Sequence, residues 1–325
     1  AHYKLGYVLQ ELGRLEEAVA YCRKAIDIKP DYGKAHYNLG NAQWKLGRLE
    51  DAIDCFERAD IEISRPKLLE CVYAVGEKER FYRELEKISL KDKTNVGVAA
   101  ISAFASNQFD CQDPYPFCNN PMEFIYTNNI ASVTGKESGL LQETQQQIAK
   151  LKLDERRQDL LTSGMQSSPS LFVEPRGALA DLDRIIRNEV AVYFSKYQTS
   201  DCLFIKMRPR EYTLKGWYIL MEKGGHLKEH NHPTGWLSGV LYLMVPARKA
   251  DEGYIEFGLH GNNFPVLDAG YPKEVYQVKE GDLILFPSSL FHRTIPFQSD
   301  VKRLCISFDL NPVEGDNRNS SLSAF

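Results

Sequence analysis

Three histidines and one arginine stand at spacings that chemistry can use. His230 and His232 flank Asn231, His292 follows His232 by sixty residues, and Arg303 comes eleven residues later. In extended backbone, residues two apart face the same side, so His230 and His232 point one way and Asn231 the other. With His292 arriving from a later strand, three imidazoles suit zinc, iron or copper. The same spacing on a surface strand makes a plain solvated pair, and the residues alone leave both readings open. His226, four before His230, reads as lying outside the set. Trp236, next to the histidine pair, is placed to wall a substrate pocket. Asn231 and Arg293 are counted toward that pocket, although Arg293 points to the far side of its strand from His292. Trp217 reads as core. Ser288 and Ser289 have no neighbouring acid and base, and Gly224-Gly225 and Gly258 lack a phosphate-binding context.

Such a set needs strands to hold it. Phe204–Pro209 and Thr213–Met221 alternate and are rich in aromatic and β-branched residues. Gly224-Gly225 reads as a turn. Further strands are expected over 236–245, 253–259, 274–278, 283–287, 288–296 (carrying His292) and 302–310. Short strands at this spacing predict an antiparallel barrel or double sheet rather than alternating α/β. Upstream, Glu137–Asp159 reads as one long helix with apolar positions at Leu140, Leu141, Ile148, Leu151 and Leu153. Thr162–Pro169 is polar and turn-rich. Ala178–Tyr197 is a second amphipathic helix, with Leu179, Leu182, Ile185, Ile186, Val190 and Phe194 on one face. Two helices against one side of an antiparallel sheet would cover both stripes.

The front of the chain repeats itself at an offset of 34 residues. Tyr3 aligns with Tyr37, Gly6 with Gly40, Gly13 with Gly47, Ala18 with Ala52 and Ala25 with Ala59. Each unit holds two amphipathic runs joined at a glycine, with small residues where helices must approach, and Pro30 ends the first. This resembles the tetratricopeptide repeat. A third unit, Pro66–Val75 with Lys78–Ile88, is degenerate, since Phe81 falls where the turn glycine is due. A helix over 96–106 would close the stack. The fold class expected is α+β: repeats over 1–109, a junction over 110–136, a sheet domain over 137–312 and a tail over 313–325. In the junction, Met122–Asn129 reads as a short helix or turn, and Cys111 and Cys118 as unpaired thiols.

The back of the chain is similar to the iron(II)- and 2-oxoglutarate-dependent oxygenases, in the branch with a Ser-Gly-Val-Tyr-Tyr-like strand. The strings are Gly-Gly-His-Leu-Lys-Glu-His-Asn-His-Pro-Thr-Gly-Trp-Leu-Ser-Gly-Val-Leu-Tyr-Leu (224–243), Gly-Tyr-Ile-Glu-Phe-Gly (253–258), Gly-Asp-Leu-Ile-Leu-Phe-Pro-Ser-Ser-Leu-Phe-His-Arg-Thr-Ile-Pro-Phe (281–297) and Arg-Leu-Cys-Ile-Ser-Phe-Asp (303–309). The resemblance implies a double-stranded β-helix (jelly roll) with iron at its open end, 2-oxoglutarate as cosubstrate and dioxygen as oxidant. It implies His230 as first ligand and His292 as distal ligand. The family's carboxylate position is occupied by His232, so either His232 ligates, or a water does, or Glu256 reaches in from a nearby strand. Arg303 matches the residue that grips the far carboxylate of 2-oxoglutarate, a task for which a planar guanidinium is suited. Tyr218, Tyr242 and Ser307 are further donors to the cosubstrate. The activity implied is hydroxylation of a C–H bond. Two other classes remain: a binding or scaffold protein without catalysis, and a three-histidine thiol dioxygenase, against which Arg303 argues.

The repeats point to a protein or peptide partner, with a homodimer or a small-molecule hydroxylase that uses repeats for assembly as the alternatives. A net charge of -4 and a pI near 6.0 give no electrostatic case for nucleic acid or an anionic membrane. No apolar run is long enough for a span. Seven cysteines without framework spacing point to a reducing compartment, so a cytoplasmic location is expected.

Overall fold

The computed structural model describes residues 2–130, 139–151, 155–156, 159–169, 171–246 and 251–313. The chain divides into two compact units, Ala1–Pro116 with Phe264–Ala269, and Phe117–Asn263 with Gly270–Phe325.

The first unit is helical: α1 (His2–Glu11), α2 (Leu15–Ile28), α3 (Gly33–Lys45), α4 (Leu49–Ala59), α5 (Ser64–Val75), α6 (Lys78–Lys91) and α7 (Val96–Gln108). The small residues let helices touch. A Cβ on Gly6 would meet Cys22 Sγ at 2.6 Å, and one on Gly40 would meet the Phe56 ring at 2.7 Å. The first two pairs turn on Gly13 and Gly47, both at positive φ, where a side chain would be strained. The third pair departs from the offset expected. Its turn glycine is Gly76, φ 86°, and Phe81 lies inside α6, buried against the rings of Tyr73, Tyr82 and Phe109. A ring cluster supplies there the packing that small residues supply in the first two pairs. Helix α7 is buried on nearly all sides. Phe104 packs on Phe264, and Gln108 bonds to the backbone of Leu267 and Asp268.

The second unit is built on two antiparallel sheets. Its strands are β1 (Tyr126–Asn129), β2 (Glu155–Arg156), β3 (Leu161–Ser167), β4 (Tyr212–Leu227), β5 (Leu237–Met244), β6 (Ile255–Gly258), β7 (Lys273–Tyr276), β8 (Asp282–Pro287), β9 (Phe291–Thr294) and β10 (Arg303–Pro312). The large sheet runs β1-β8-β5-β10-β4-β3-β2 and the small one β7-β6-β9. The core between them gathers Ile219, Met221, Val240, Tyr242, Ile255, Phe257, Ile284, Phe286 and Cys305. Helices α8 (Leu140–Lys150) and α9 (Ala178–Lys196) cover the unit, and Gln145 of α8 bonds to the Leu243 carbonyl of β5 at 2.5 Å. Among the described residues no helix is long and apolar enough to cross a membrane.

Several local expectations are corrected. The helix expected over 137–159 ends at Lys150, Leu151 is extended, and Glu155–Arg156 pair with Ser167 and Gln166, a sheet ladder that competes with further helix. Leu153 lies outside the described residues. The polar 162–169 stretch contains β3, whose outer face is exposed, so pairing to β4 needs no apolar alternation there. Gly224-Gly225 is not a turn but a bulge within β4: Thr162 pairs with His226 and Gly164 with Met221, so residues 222–225 are looped out. The strand expected at 204–209 is a one-turn helix, α10 (Leu203–Lys206), whose Phe204 is locked among Phe117, Phe124 and Trp236. Met122–Asn129 splits into a 3-10 turn, Pro121–Phe124, and β1.

Strand β5 is buried over most of its length, and Gly239 is where a neighbouring ring crosses it. A Cβ at Gly239 would run into the Phe308 ring and meet Leu285 Cδ2 at 2.8 Å. Gly239→Ala should therefore destabilise the sheet unit by about 1–3 kcal/mol, the usual range for overpacking. Urea denaturation followed by Trp217 and Trp236 fluorescence, with Trp44 replaced by Phe, measures it. An unchanged midpoint would show that the strand does not pack as described.

Candidate metal and organic-acid site

Strand pairing brings the histidines together. His230 and His292 face each other across an isolated antiparallel bridge, His230 N–H donating to the His292 carbonyl at 3.1 Å and His292 N–H to the His230 carbonyl at 2.9 Å. His232 is held by its own N–H to the Ser288 carbonyl at 3.0 Å. The three ring centroids lie 4.3, 5.1 and 5.3 Å apart. A potential ligand atom from each ring lies within 4.8 Å of the other two.

Their tautomers follow from their partners. Nδ1 of His230 faces the Lys228 carbonyl at 2.8 Å, Nδ1 of His292 the Leu290 carbonyl at 3.3 Å, and Nδ1 of His232 the Asp309 carboxylate at 2.6 Å. All three partners are acceptors, so each Nδ1 donates and Nε2 is the nitrogen left for a metal. Burial, with the nearby His232 second, pushes His230 down to about 4. Burial, then His230 and His232, holds His292 well below its ordinary value. Neutral imidazoles are competent ligands.

The cluster opens into a cavity of about 220 Å³. Strand β10 supplies one wall through Arg303, Cys305, Ser307 and Asp309, alternate residues of one face. Arg303 is 2% exposed. Its Nη1 reaches only sulfur, Cys305 Sγ at 3.6 Å and Met221 Sδ at 3.8 Å, its guanidinium lies 4.9 Å from the Tyr242 ring centre, and its Nε has no hydrogen-bond partner. Among the described residues no carboxylate pairs with it. A buried, uncompensated guanidinium facing a cavity is costly, and an organic acid entering the cavity would relieve that cost. Three clustered imidazoles beside a buried guanidinium that no described carboxylate pairs with fit a divalent metal with an acidic cosubstrate.

The remaining sequence candidates divide. Tyr242 and Ser307 line the cavity; Tyr218 does not. The phase of β4 places Trp217 and Ile219 inside and turns Tyr218 to the opposite face. Trp236 lies away from the cavity, its ring between Phe117 and Phe204 and its indole N–H on the Phe204 carbonyl at 3.0 Å. Asn231 is half-buried and outside the cavity lining. Glu256 is opposite Arg293 in the β6–β9 register and forms a two-pronged pair with it at 2.8 and 2.9 Å. Arg293 also reaches Glu229 at 3.3 Å. Glu256 is thereby committed away from the histidines, and Arg293 lies outside the cavity lining. His226 bonds to the Gly224 carbonyl and stays apart from the cluster. Trp217, expected in the core, lines the cavity, as do Asp309, Gln166 and Thr294, to which the sequence assigns no role in the site. Counting in twos from Arg303 along β10 reaches Asp309.

Residues 215–309 match the family model described as "Putative 2OG-Fe(II) oxygenase", and residues 1–59 match the tetratricopeptide repeat model. The two resemblances read from the motifs are thus both met. No curated protein matches the chain significantly. Among solved structures, a Pseudomonas putida prolyl-4-hydroxylase is 14% identical over 58% of this chain and 92% of its own, with a TM-score of 0.42. HygX from Streptomyces hygroscopicus, with nickel and 2-oxoglutarate bound, is 17% identical over 58% of this chain and 83% of its own, with a TM-score of 0.42. MamA is 23% identical over 34% of this chain and 68% of its own, with a TM-score of 0.31.

The depressed imidazoles set a pH dependence. An unfolded histidine titrates near about 6.5, whereas His230 in the folded, metal-free protein titrates at about 4. Between those values the unfolded chain binds more protons, so stability falls as pH drops. In metal-stripped protein the urea midpoint of the sheet unit should fall between about pH 6.5 and 5, and fall less in His230→Gln. A midpoint flat over that range in both proteins would contradict the assigned protonation.

Proposed function

We propose that the protein is an iron(II)- and 2-oxoglutarate-dependent dioxygenase that hydroxylates a C–H bond of a protein or peptide recruited by its helical repeats. The observation that carries this reading is the buried Arg303, without a carboxylate partner among the described residues, in the same cavity as three clustered imidazoles. His230, His232 and His292 would hold the metal. Iron bound there would supply oxidation of an unactivated C–H bond by dioxygen, coupled to decarboxylation of 2-oxoglutarate to succinate.

The protein's own residues would do the rest. Arg303 would take the far carboxylate of 2-oxoglutarate, since its planar fork matches a carboxylate with two parallel hydrogen bonds. Tyr242, ring against the guanidinium, would steady that fork. Ser307 lies on the same face of β10 and would add a hydroxyl donor. Ile219, Leu227, Val240, Ile255 and Phe286 line the cavity with apolar surface that limits water. The match of residues 1–59 to tetratricopeptide repeats supports a polypeptide substrate, because repeat surfaces of this kind usually receive protein segments.

Purified protein supplied with iron(II), 2-oxoglutarate and air should release succinate, and His292→Ala should abolish release. Arg303→Ala should keep its metal but weaken 2-oxoglutarate binding by roughly a hundredfold, the scale of losing a buried charged hydrogen-bond partner. Unchanged 2-oxoglutarate affinity in the Arg303→Ala protein would overturn the assignment. Mass spectrometry of proteins captured by the repeats should find one added oxygen after turnover.

A further inference from the structure

Imidazole ligands bring a cation no compensating negative charge. His230 and His292 each bond through Nδ1 to a backbone carbonyl two residues earlier in the chain. His232 alone has a carboxylate behind it, Asp309 Oδ1 at 2.6 Å. Asp309 is 7% exposed. The same oxygen accepts from Ser238 Oγ at 2.7 Å, and Ser238 Oγ lies 2.8 Å from Ser288 Oγ. The loop is pressed onto this group. A Cβ on Gly235 would meet Ser288 Oγ at 2.7 Å and Asp309 Cγ at 3.2 Å, and Asn311 Nδ2 donates to the Thr234 carbonyl at 2.8 Å. The carboxylate thus has two side-chain partners on one oxygen, Ser238 of β5 and the His232 imidazole, with Ser288 behind Ser238.

We infer that Asp309 is a positioning residue for the metal: it fixes the tautomer of His232 and supplies, one hydrogen bond behind the ring, the negative charge that three histidines lack. The inference rests on the three-histidine metal face proposed above. The physical reason is that a carboxylate accepting from Nδ1–H makes the opposite nitrogen a stronger donor and holds the ring in place. Loss of such a partner typically costs about 10–100-fold in metal affinity. Ser238 donates to the same oxygen that faces His232 and so holds the carboxylate against that ring.

Calorimetry with cobalt(II) alone, on the full chain, tests this without turnover. Asp309→Asn keeps the shape and removes the charge, and it should weaken cobalt binding by at least about tenfold and shift the ligand-field absorption of the bound ion. Asp309→Glu should recover part of the affinity. In a His232→Gln background, Asp309→Asn should cause little further loss, since the carboxylate acts through that ring. If wild-type protein binds cobalt and Asp309→Asn binds it equally well with the same spectrum, the inference falls while the metal site stands. If His232→Gln leaves affinity intact while Asp309→Asn abolishes it, Asp309 is itself a ligand and the positioning role is wrong. If wild-type protein takes up no cobalt, the metal face and the inference fail together.

Discussion

The site depends on one pair of backbone hydrogen bonds, the reciprocal exchange between His230 and His292. Residues directly opposite in an antiparallel bridge put their side chains on the same side at close range. Sixty-two positions separate these two in the chain, and without the bridge nothing local would bring them together. The bridge is itself anchored, since β9 pairs with β6 and the chain after His232 enters β5, in the middle of the large sheet. His230 and His292 are held by this bridge and His232 by its N–H on the Ser288 carbonyl, so each ring is tied to backbone, as a centre of fixed coordination shape would need.

Strand β10 organises the rest. It lies between β4 and β5, and its inward residues form a row: the buried guanidinium of Arg303, Cys305 and Ser307 along the wall, Asp309 behind His232. A two-residue period thus spaces Arg303 and the Asp309–His232 pair along a single strand. The outward residues of the same strand, Ile306 and Phe308 among them, are buried on its other face, so register there is strongly specified. A slip of one residue would put Ile306 and Phe308 into the cavity and Arg303 and Asp309 into an apolar layer.

Much of this was legible in the sequence, for identifiable reasons. The His-x-His pair needs only strand periodicity to be read as two rings on one side, and His292 and Arg303 follow in strings whose turns are marked by Gly and Pro. The repeats were legible because glycines and alanines recur at a fixed offset, as close helix contact demands. What failed was phase and termination. Trp217 and Tyr218 are adjacent, equally aromatic and both at least half-buried, and only the register against β10 decides which of them enters the cavity. Trp236 is next to the histidines in sequence, yet its ring is claimed by Phe117 and Phe204, which come from far earlier. Glu256 could not be separated from a ligand until β6 was seen opposite Arg293. Asp309 is not legible from spacing because its partner, His232, is 77 residues away in the chain.

The central claim is that a metal sits on three imidazoles beside an arginine awaiting an acid. Anomalous diffraction from crystals grown with manganese(II) and 2-oxoglutarate tests it most directly. The account predicts one strong peak bonded to Nε2 of His230, His232 and His292, with a 2-oxoglutarate carboxylate against Arg303. A peak bonded to Glu256, or a metal bound elsewhere while Arg303 stays without an anion, would contradict it.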